Sequence, residues 1–357
     1  MATQLVLRSF SEGGRVTTEN APFADRNKNF LPFLKTFEIA SVVFFYQSRK
    51  TLLENTGRCA IIPHNTGEKQ MADFAGFLEE EYPFEPHYIS CGNMRMHYVD
   101  EGTGPVVLLL HSCPAWSFAF RKLIKELSKD HRVIAPDMIG YGLSDKPDDY
   151  DYSLDSHIDN LERLTEELGI EKTSILMHGW GATIGCSYII RHPDKISTVI
   201  VMNSMAFTGY KLSWRLKLIR WAPWLAERFI VDTDLMFGGL NKLPALVQEG
   251  YKMPYKSHSD RIAILRFIEE MPCNPDDNSY ESVVEIEHGL WLFRDFPVLI
   301  IWAGKDWLYT EKCLKRWMQF CPNAKLRRIQ NAGRYVTEEA SEEFIQTVYT
   351  FLKGNRS

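Results

Sequence analysis

The chain has 357 residues, of which 45% are hydrophobic and 24% are charged, and its formal net charge is -5. This length predicts two domains, or one large domain with an insertion, and the composition is that of a globular protein rather than a fibrous or disordered one. Because acidic and basic residues nearly balance, we expect neither nucleic acid nor an anionic membrane as a partner. The seven cysteines include no C-x-x-C pair, which argues against disulfides and a zinc site and favours an intracellular, reducing compartment.

Residues 1–81 differ in texture from the rest and are predicted to form a partly helical N-terminal extension. An apolar helix is expected over Leu31–Glu54 and a shorter one over Glu68–Glu81. The apolar helix either packs on the main domain or docks a protein partner. Its apolar stretch Phe37–Tyr46 is too short to span a membrane. No secretory signal is expected, and the cytoplasm is favoured over mitochondria, to which Arg8 and Arg15 weakly point.

From residue 82 onward, strand-like and helix-like segments alternate, which predicts a mostly parallel sheet covered by helices on both faces. The alternation stops between residues 207 and 293, where a helical cap is expected over the carboxyl ends of the strands. The core is therefore assigned to residues 82–206 and 294–357. The predicted strands are His87–Cys91, Met94–Val99, Val106–Leu110, Arg132–Ala135, Thr173–Met177, Ser197–Met202, Val298–Trp302 and Lys325–Ile329.

Several loops that follow these strands share motifs with one family. They read His-Ser-Cys-Pro from residue 111, Asp-Met-Ile-Gly-Tyr-Gly from 137, His-Gly-Trp-Gly-Ala from 178 and Asn-Ala-Gly-Arg from 331. With them the chain resembles the α/β-hydrolase fold, in the branch of haloalkane dehalogenases and Renilla-type luciferases, over roughly three quarters of its length. The resemblance implies an eight-stranded, mostly parallel sheet with a helical cap after the sixth strand.

The resemblance also implies where a catalytic triad of nucleophile, acid and histidine base would lie. The nucleophile position is Gly179, which has no side chain, and the base position is Arg334, which cannot accept a proton. Asp306 keeps the acid position, while the alternative acid position holds the amide Asn203. We expect Asp306 and Arg334 to form a bidentate salt bridge.

The supporting residues of the site depart from the family pattern as well. Ser112 and Cys113 stand at the oxyanion and halide-donor positions, where the thiol is a weak donor. Trp180 is predicted to be a core residue or a pocket wall, and His178 a hydrogen-bonded core histidine.

These features favour a catalytically inactive α/β-hydrolase that serves as a structural or binding module, with the extension 1–81 as the surface for protein partners. One alternative is an active dehalogenase, epoxide or ester hydrolase, or luciferase-like enzyme with relocated chemistry. Another is a receptor for a hydrophobic small ligand in the capped pocket, whose lid supplies Trp214, Trp221, Trp224, Phe229 and Phe237. No cofactor or metal is expected. The relocated chemistry would draw on Asp306, His178, Cys113, Tyr210 and Tyr335.

Overall fold

The structure, a computed structural model, describes residues 74–209 and 242–355, together with residues 217, 220, 221 and 239. The predicted helix Leu31–Glu54 lies outside these residues, and so do Tyr210 and most aromatic residues of the predicted lid. Of the second predicted helix, the described part is helical from residue 74 to residue 81.

Eight strands within the described residues form one sheet in the order β1-β2-β4-β3-β5-β6-β7-β8. Strands β1, β2 and β4 pair antiparallel, whereas all the other neighbours pair parallel. The sheet is therefore the mostly parallel sheet that the sequence predicts. Its strands are β1 (His87–Cys91), β2 (Met94–Glu101), β3 (Val106–Leu110), β4 (Arg132–Pro136), β5 (Thr173–Gly179), β6 (Ile196–Ser204), β7 (Val298–Ala303) and β8 (Lys325–Ile329).

Helices cover both faces of the sheet because the central strands are apolar on both sides. Along β3, Val107 and Leu109 face one apolar core, while Leu108 and Leu110 face the other. The helices are α1 (Arg121–Leu127), α2 (Leu154–Glu167), α3 (Trp180–Arg191), α4 (Ala245–Lys252), α5 (Ile262–Glu270), α6 (Tyr280–Gly289), α7 (Glu311–Phe320), α8 (Val336–Glu339) and α9 (Ser341–Lys353).

The two cores divide the helices between them. Helices α1 and α9 contribute to one core, and helices α2, α3 and α7 contribute to the other together with the cap. The sequence predicts one final helix over 338–352, but the chain breaks it at Ala340, whose φ of -140° is not helical.

The cap follows β6, as predicted, and its described part from residue 242 to 293 contains helices and no strand. Helices α4 to α6 belong to it, with short 3-10 helices at Met253–Tyr255, Ser259–Arg261 and Leu290–Asp295. Among the described helices there is none whose length and apolar character would let it cross a membrane. The loops after β3, β4, β5, β7 and β8 meet at the carboxyl edge of the sheet, where α/β folds place their sites.

Candidate functional site

The centre of the site is a sharp turn at Gly179, which ends β5 and immediately precedes α3. Its φ of 57° and ψ of -121° lie in a region that glycine adopts far more readily than other residues. Gly181 is required as well, because a Cβ there would lie 2.6 Å from the backbone oxygens of Leu110 and His111. The large Met177 before the turn is accommodated by Gly185, whose missing side chain leaves room for it. The strand-to-helix turn that the motif predicts is therefore present.

The space beside Gly179 is filled by Ser112. A Cβ on Gly179 would lie 2.6 Å from the Cβ of Ser112 and would overlap its Oγ. Ser112 Oγ donates to the carbonyl oxygen of Cys113 at 3.2 Å and accepts from Arg334 Nη2 at 3.3 Å. Arg334 Nη2 also donates to the carbonyl oxygen of Cys113 at 2.5 Å. Ser112, which is hydrogen-bonded to Arg334, thus occupies the position where a side chain at residue 179 would project.

The bidentate salt bridge expected between Asp306 and Arg334 is not formed. Asp306 Oδ1 accepts from the backbone N–H groups of Leu308 and Tyr309, at 2.8 and 3.2 Å. Its Oδ2 and Arg334 Nη1 are both buried without a hydrogen-bond partner in the described part of the chain. The sequence placed the two residues correctly in neighbouring loops, but Arg334 turns its guanidinium towards the Ser112 loop instead.

The two charges nevertheless act on each other through the buried environment. Burial raises the pKa of Asp306, and the positive charge of Arg334 opposes that rise. Burial disfavours the charged form of Arg334, but Asp306, together with smaller contributions from Tyr309, Tyr335 and Cys113, outweighs it, so the pKa of Arg334 lies above its ordinary value. Arg334 is therefore a permanent cation and has no capacity to accept a proton.

His178 is buried, but the prediction that it is hydrogen-bonded is wrong. Neither of its ring nitrogens has a hydrogen-bond partner within the residues described. Burial, with the nearby charge of Arg334 as a smaller contribution, lowers the pKa of His178 to about 3. The imidazole is therefore neutral at physiological pH and lies beside Arg334 in the same cavity.

Asn203 has a structural role at the end of β6. Its Nδ2 donates to the carbonyl oxygen of Ala303 at 3.1 Å, and its Oδ1 accepts from the backbone N–H of Ala303 at 2.6 Å. The amide thus closes the end of the β6–β7 pairing and is fully used by the backbone.

Comparison with known proteins identifies the fold family. Residues 105–230 match the family described as "alpha/beta hydrolase fold". The chain is 34% identical over 291 residues to a cis-3-alkyl-4-alkyloxetan-2-one decarboxylase of Shewanella oneidensis, covering 77% of this chain and 90% of that protein. It is 30% identical over 290 residues to a haloalkane dehalogenase of Mycobacterium marinum, covering 76% and 94% respectively. The chain belongs to the haloalkane dehalogenase-like family of α/β-hydrolases.

Solved structures agree on the fold. The haloalkane dehalogenase DatA of Agrobacterium tumefaciens superposes with a TM-score of 0.67 at 22% identity, over 76% of this chain and 97% of that one. The putative ancestral haloalkane dehalogenase AncHLD2 gives a TM-score of 0.67 at 24% identity, over 75% of this chain and 98% of that one.

Cys113 lines the cavity beside Gly179, and Trp180 follows the turn directly in the chain. Burial raises the pKa of the Cys113 thiol to about 12, so the thiol stays protonated and is a poor nucleophile. Trp180 packs edge-on against Phe267 of the cap helix α5, with ring centroids 5.1 Å apart. Trp180 is buried in the apolar core and contributes to the contact between core and cap.

One feature of the site was not predicted from the sequence. Arg121 on α1 is 1% exposed and donates from Nε to Glu81 at 2.9 Å, and from Nη2 to Glu338 at 3.0 Å. Tyr251 of the cap helix α4 donates to the same Glu338 at 3.1 Å. This Arg121 cluster (Arg121, Glu81, Glu338, Tyr251) ties the loop that carries Arg334 to the cap and to the helix at residues 74–81. A lone arginine in an amphipathic helix gives no sequence signal for such a cluster.

Proposed function

We propose that this chain is a non-hydrolytic member of its family that acts as a structural or ligand-binding accessory module. The observation that carries the proposal is the turn at Gly179. There the backbone keeps the conformation of a nucleophile position, while the residue has no attacking atom and Ser112 fills the adjoining space. The family's catalytic positions are those of Gly179 for the nucleophile, Asp306 for the acid and Arg334 for the base. Loss of one triad member lowers rates by about 10⁴- to 10⁶-fold.

The proton-transfer groups near the turn support the same conclusion. Arg334 cannot take a proton, and His178 with a pKa of about 3 is a very weak base at neutral pH. No His follows His288 in the sequence, so no histidine comes after the last strand. Without a histidine at the base position, the family's route for activating water is missing.

The alternative is an active enzyme that uses the remaining acid. It rests on Asp306, whose raised pKa and unbonded Oδ2 would suit a general acid. The relatives are named for an alkyl-oxetanone decarboxylation and for haloalkane dehalogenation, so substrates of those two classes test both proposals.

The first experiment measures turnover by the full chain on an alkyl bromide, a cis-3,4-dialkyl β-lactone and a p-nitrophenyl ester. We expect no release of bromide, carbon dioxide or nitrophenolate above the protein-free rate. Turnover by the full chain that is abolished by Asp306→Asn would overturn the proposal and support relocated chemistry.

A regain-of-function variant sharpens this test. We expect Gly179→Asp combined with Ser112→Gly and Arg334→His to form a covalent alkyl ester at position 179 with an alkyl bromide, detected by intact-protein mass spectrometry. The matched control is Gly179→Asn in the same background, whose amide is not nucleophilic enough to displace bromide. An adduct on the unmodified chain would contradict the reading of the turn.

The accessory role is proposed to depend on residues 1–81. The match to the Shewanella relative covers 90% of that protein but only 77% of this chain. Most of the unmatched residues of this chain therefore have no counterpart in that relative. A reducing, intracellular compartment is proposed with it, since the seven cysteines of the sequence include no C-x-x-C pair. Co-purification of partners with the full chain, compared with a chain that lacks residues 1–81, tests the role. Equal recovery of the same partners by both would contradict it.

A further inference from the structure

A small aromatic surface lies at the amino edge of the sheet, opposite the loops around Gly179. The 3-10 helix Leu290–Asp295 directly precedes β7, and α7 ends at Phe320 shortly before β8 begins. In that 3-10 helix Trp291 is 48% exposed and Leu292 is 37% exposed. The ring of Trp291 packs edge-on against Phe320, with ring centroids 5.0 Å apart. An exposed tryptophan alone needs no explanation, but one that lies beside arginine is typical of protein interfaces.

The arginine of this surface is Arg294, whose guanidinium lies over Trp291 with Cζ 4.2 Å from the ring centroid. Arg294 is exposed and forms neither a hydrogen bond nor an ion pair with another described residue, its neighbour Asp295 included. A guanidinium that lies over a ring keeps its N–H groups at its own edge, where a carboxylate accepts from two of them at once. The ring thus orients Arg294, and the N–H groups of Arg294 remain available to a carboxylate.

Two other exposed arginines that lie over aromatic rings have the carboxylate that Arg294 lacks. Arg95 lies over Tyr88, 5.2 Å from the ring centroid, and pairs with Asp145 at 3.3 Å. Arg316 lies over Phe320, 5.7 Å from the ring centroid, and pairs with Glu287. For Arg294 the described chain supplies no such carboxylate, so a carboxylate of a partner can pair with it without displacing one.

The exposed face of α7 adds positive charge beside the aromatic surface. Lys312, Lys315 and Arg316 are exposed and lie at spacings of three and four residues, which places them on one face of the helix. The exposed Glu311 on the same helix pairs with Arg328 of β8. Since the whole chain has a formal net charge of -5, this excess of positive charge is local. Charge complementarity therefore favours an acidic partner.

We propose that this surface binds an acidic protein segment that carries large apolar side chains. A carboxylate of the segment pairs with Arg294, and an apolar side chain packs on Trp291 and Leu292. An anionic membrane fits the surface less well, because only these two large apolar side chains are exposed there and the chain as a whole is acidic. The inference goes beyond the proposed function: it uses neither Gly179 nor residues 1–81, and turnover by the chain would leave it standing.

Fluorescence anisotropy of a labelled peptide mixed with the full chain tests the surface. The probe peptide repeats Glu-Glu-Leu-Phe three times, and the control peptide has Ala in place of every Leu and Phe. For the probe we expect a Kd on the order of 100 μM, because small interfaces bind weakly, and for the control at least about 5-fold weaker binding. No binding of the probe, or equal binding of both peptides, would overturn the proposal. Binding of the full chain to vesicles of phosphatidylserine and phosphatidylcholine, without binding of the probe, would overturn it in favour of a membrane.

Variants then assign the residues. We expect Arg294→Gln and Trp291→Ala each to weaken binding of the probe by at least about 5-fold. Arg95→Gln makes the same chemical change at the arginine over Tyr88, and Trp221→Ala removes another exposed tryptophan, which is 68% exposed. Both control variants should leave the Kd of the probe unchanged. Unchanged binding by Arg294→Gln or by Trp291→Ala, or equal weakening by all four substitutions, would overturn the proposal.

Discussion

Two buried arginines, Arg121 and Arg334, differ in how completely their guanidinium groups are hydrogen-bonded. Arg121 is bonded to Glu81, Glu338 and the carbonyl oxygen of Phe118. Arg334, four residues before Glu338, donates from Nη2 to a hydroxyl and a carbonyl oxygen, while its Nη1 has no partner among the described residues. Arg121 therefore has carboxylate partners, whereas Arg334 has none that it hydrogen-bonds to among the described residues.

This difference in hydrogen bonding suggests different roles: Arg121 stabilises the fold, and Arg334 belongs to the candidate site. A buried cation whose carboxylate partners are in place is costly to disrupt, because disruption strands the opposite charges. A buried cation without a bonded carboxylate contributes less to folding and remains available to a ligand. The Arg121 cluster holds the loop and the cap in position, and Arg334 is positioned by it.

The largest expected effect comes from breaking the closed network. We expect Arg121→Met to lower the free energy of unfolding by about 3 to 5 kcal/mol, because the buried Glu338 loses its guanidinium partner and keeps only Lys122 and Tyr251. Arg334→Met should cost less, about 1 to 2 kcal/mol, since it removes hydrogen bonds from a charged donor to two neutral acceptors but also removes a buried, unsatisfied N–H. Urea unfolding of the two variants at pH 7 measures both values.

The relative stability of the two variants tests this contrast between Arg121 and Arg334. If Arg334→Met destabilises the protein as much as Arg121→Met, then Arg334 belongs to a closed network too and the distinction is wrong. Arg328→Met, at an exposed pair with Glu311, gives the baseline, with an expected loss of about 0 to 1 kcal/mol.

A second prediction concerns how tightly the open site is packed around Gly179. We expect Gly179→Ala to cost about 3 kcal/mol, the sum of a disfavoured backbone conformation and overlap with Ser112. Gly169→Ala is the matched control: its φ is +61°, but nothing lies within 4 Å of the added Cβ, so it should cost only about 1 kcal/mol.

The double variant Gly179→Ala/Ser112→Gly isolates the overlap. It should recover about 1 kcal/mol relative to the sum of the two single variants, as measured by a double-mutant cycle in urea. A coupling energy of zero would mean that Ser112 moves away freely and does not fill the nucleophile's space.

Most of the fold could be predicted from local sequence patterns. Continuous apolar runs such as Val106–Leu110 gave strands with the observed bounds, because burial on both faces leaves few alternatives. Strand β5 was predicted to end at Met177 but continues to Gly179, since the turn motif itself still pairs with β6. The mostly parallel sheet and the position of the cap were predicted from the strand–helix alternation and its interruption after residue 206, and the family resemblance implied the same arrangement.

The site was predicted less completely, because side-chain direction is not encoded in spacing. The sequence placed Asp306 and Arg334 in adjacent loops but not the rotation of Arg334 towards Ser112 and Cys113. That His178 has no hydrogen-bond partner among the described residues depends on its surroundings in three dimensions. The same holds for the Arg121 cluster, whose members come from four separate segments.

The third and smallest expected effect is the pH dependence of stability, which should differ between His178 and the Arg121 cluster. His178 has a folded pKa of about 3, below its ordinary value of 6.5, so the unfolded state takes up its proton first as pH falls. Stability from His178 is therefore present above pH 6.5 and declines below it, by about 1.4 kcal/mol per pH unit and about 2 kcal/mol by pH 5. In the Arg121 cluster, burial opposes the charge of Glu338, but the bonds from Arg121 lower its pKa, so that contribution is lost only below about pH 4.5.

Urea unfolding at pH 7, 6 and 5 should therefore show a loss that His178→Gln flattens and that Arg121→Met does not. His157, also buried and with a pKa lowered by burial to about 4, serves as the internal standard, because His157→Gln should flatten the same range by a similar amount. If His178→Gln leaves the slope between pH 7 and 5 unchanged while His157→Gln reduces it, the His178 ring is already paired or solvated. The site at Gly179 would then hold no unpaired His178 ring, and its contrast with the fully bonded Arg121 cluster would be contradicted.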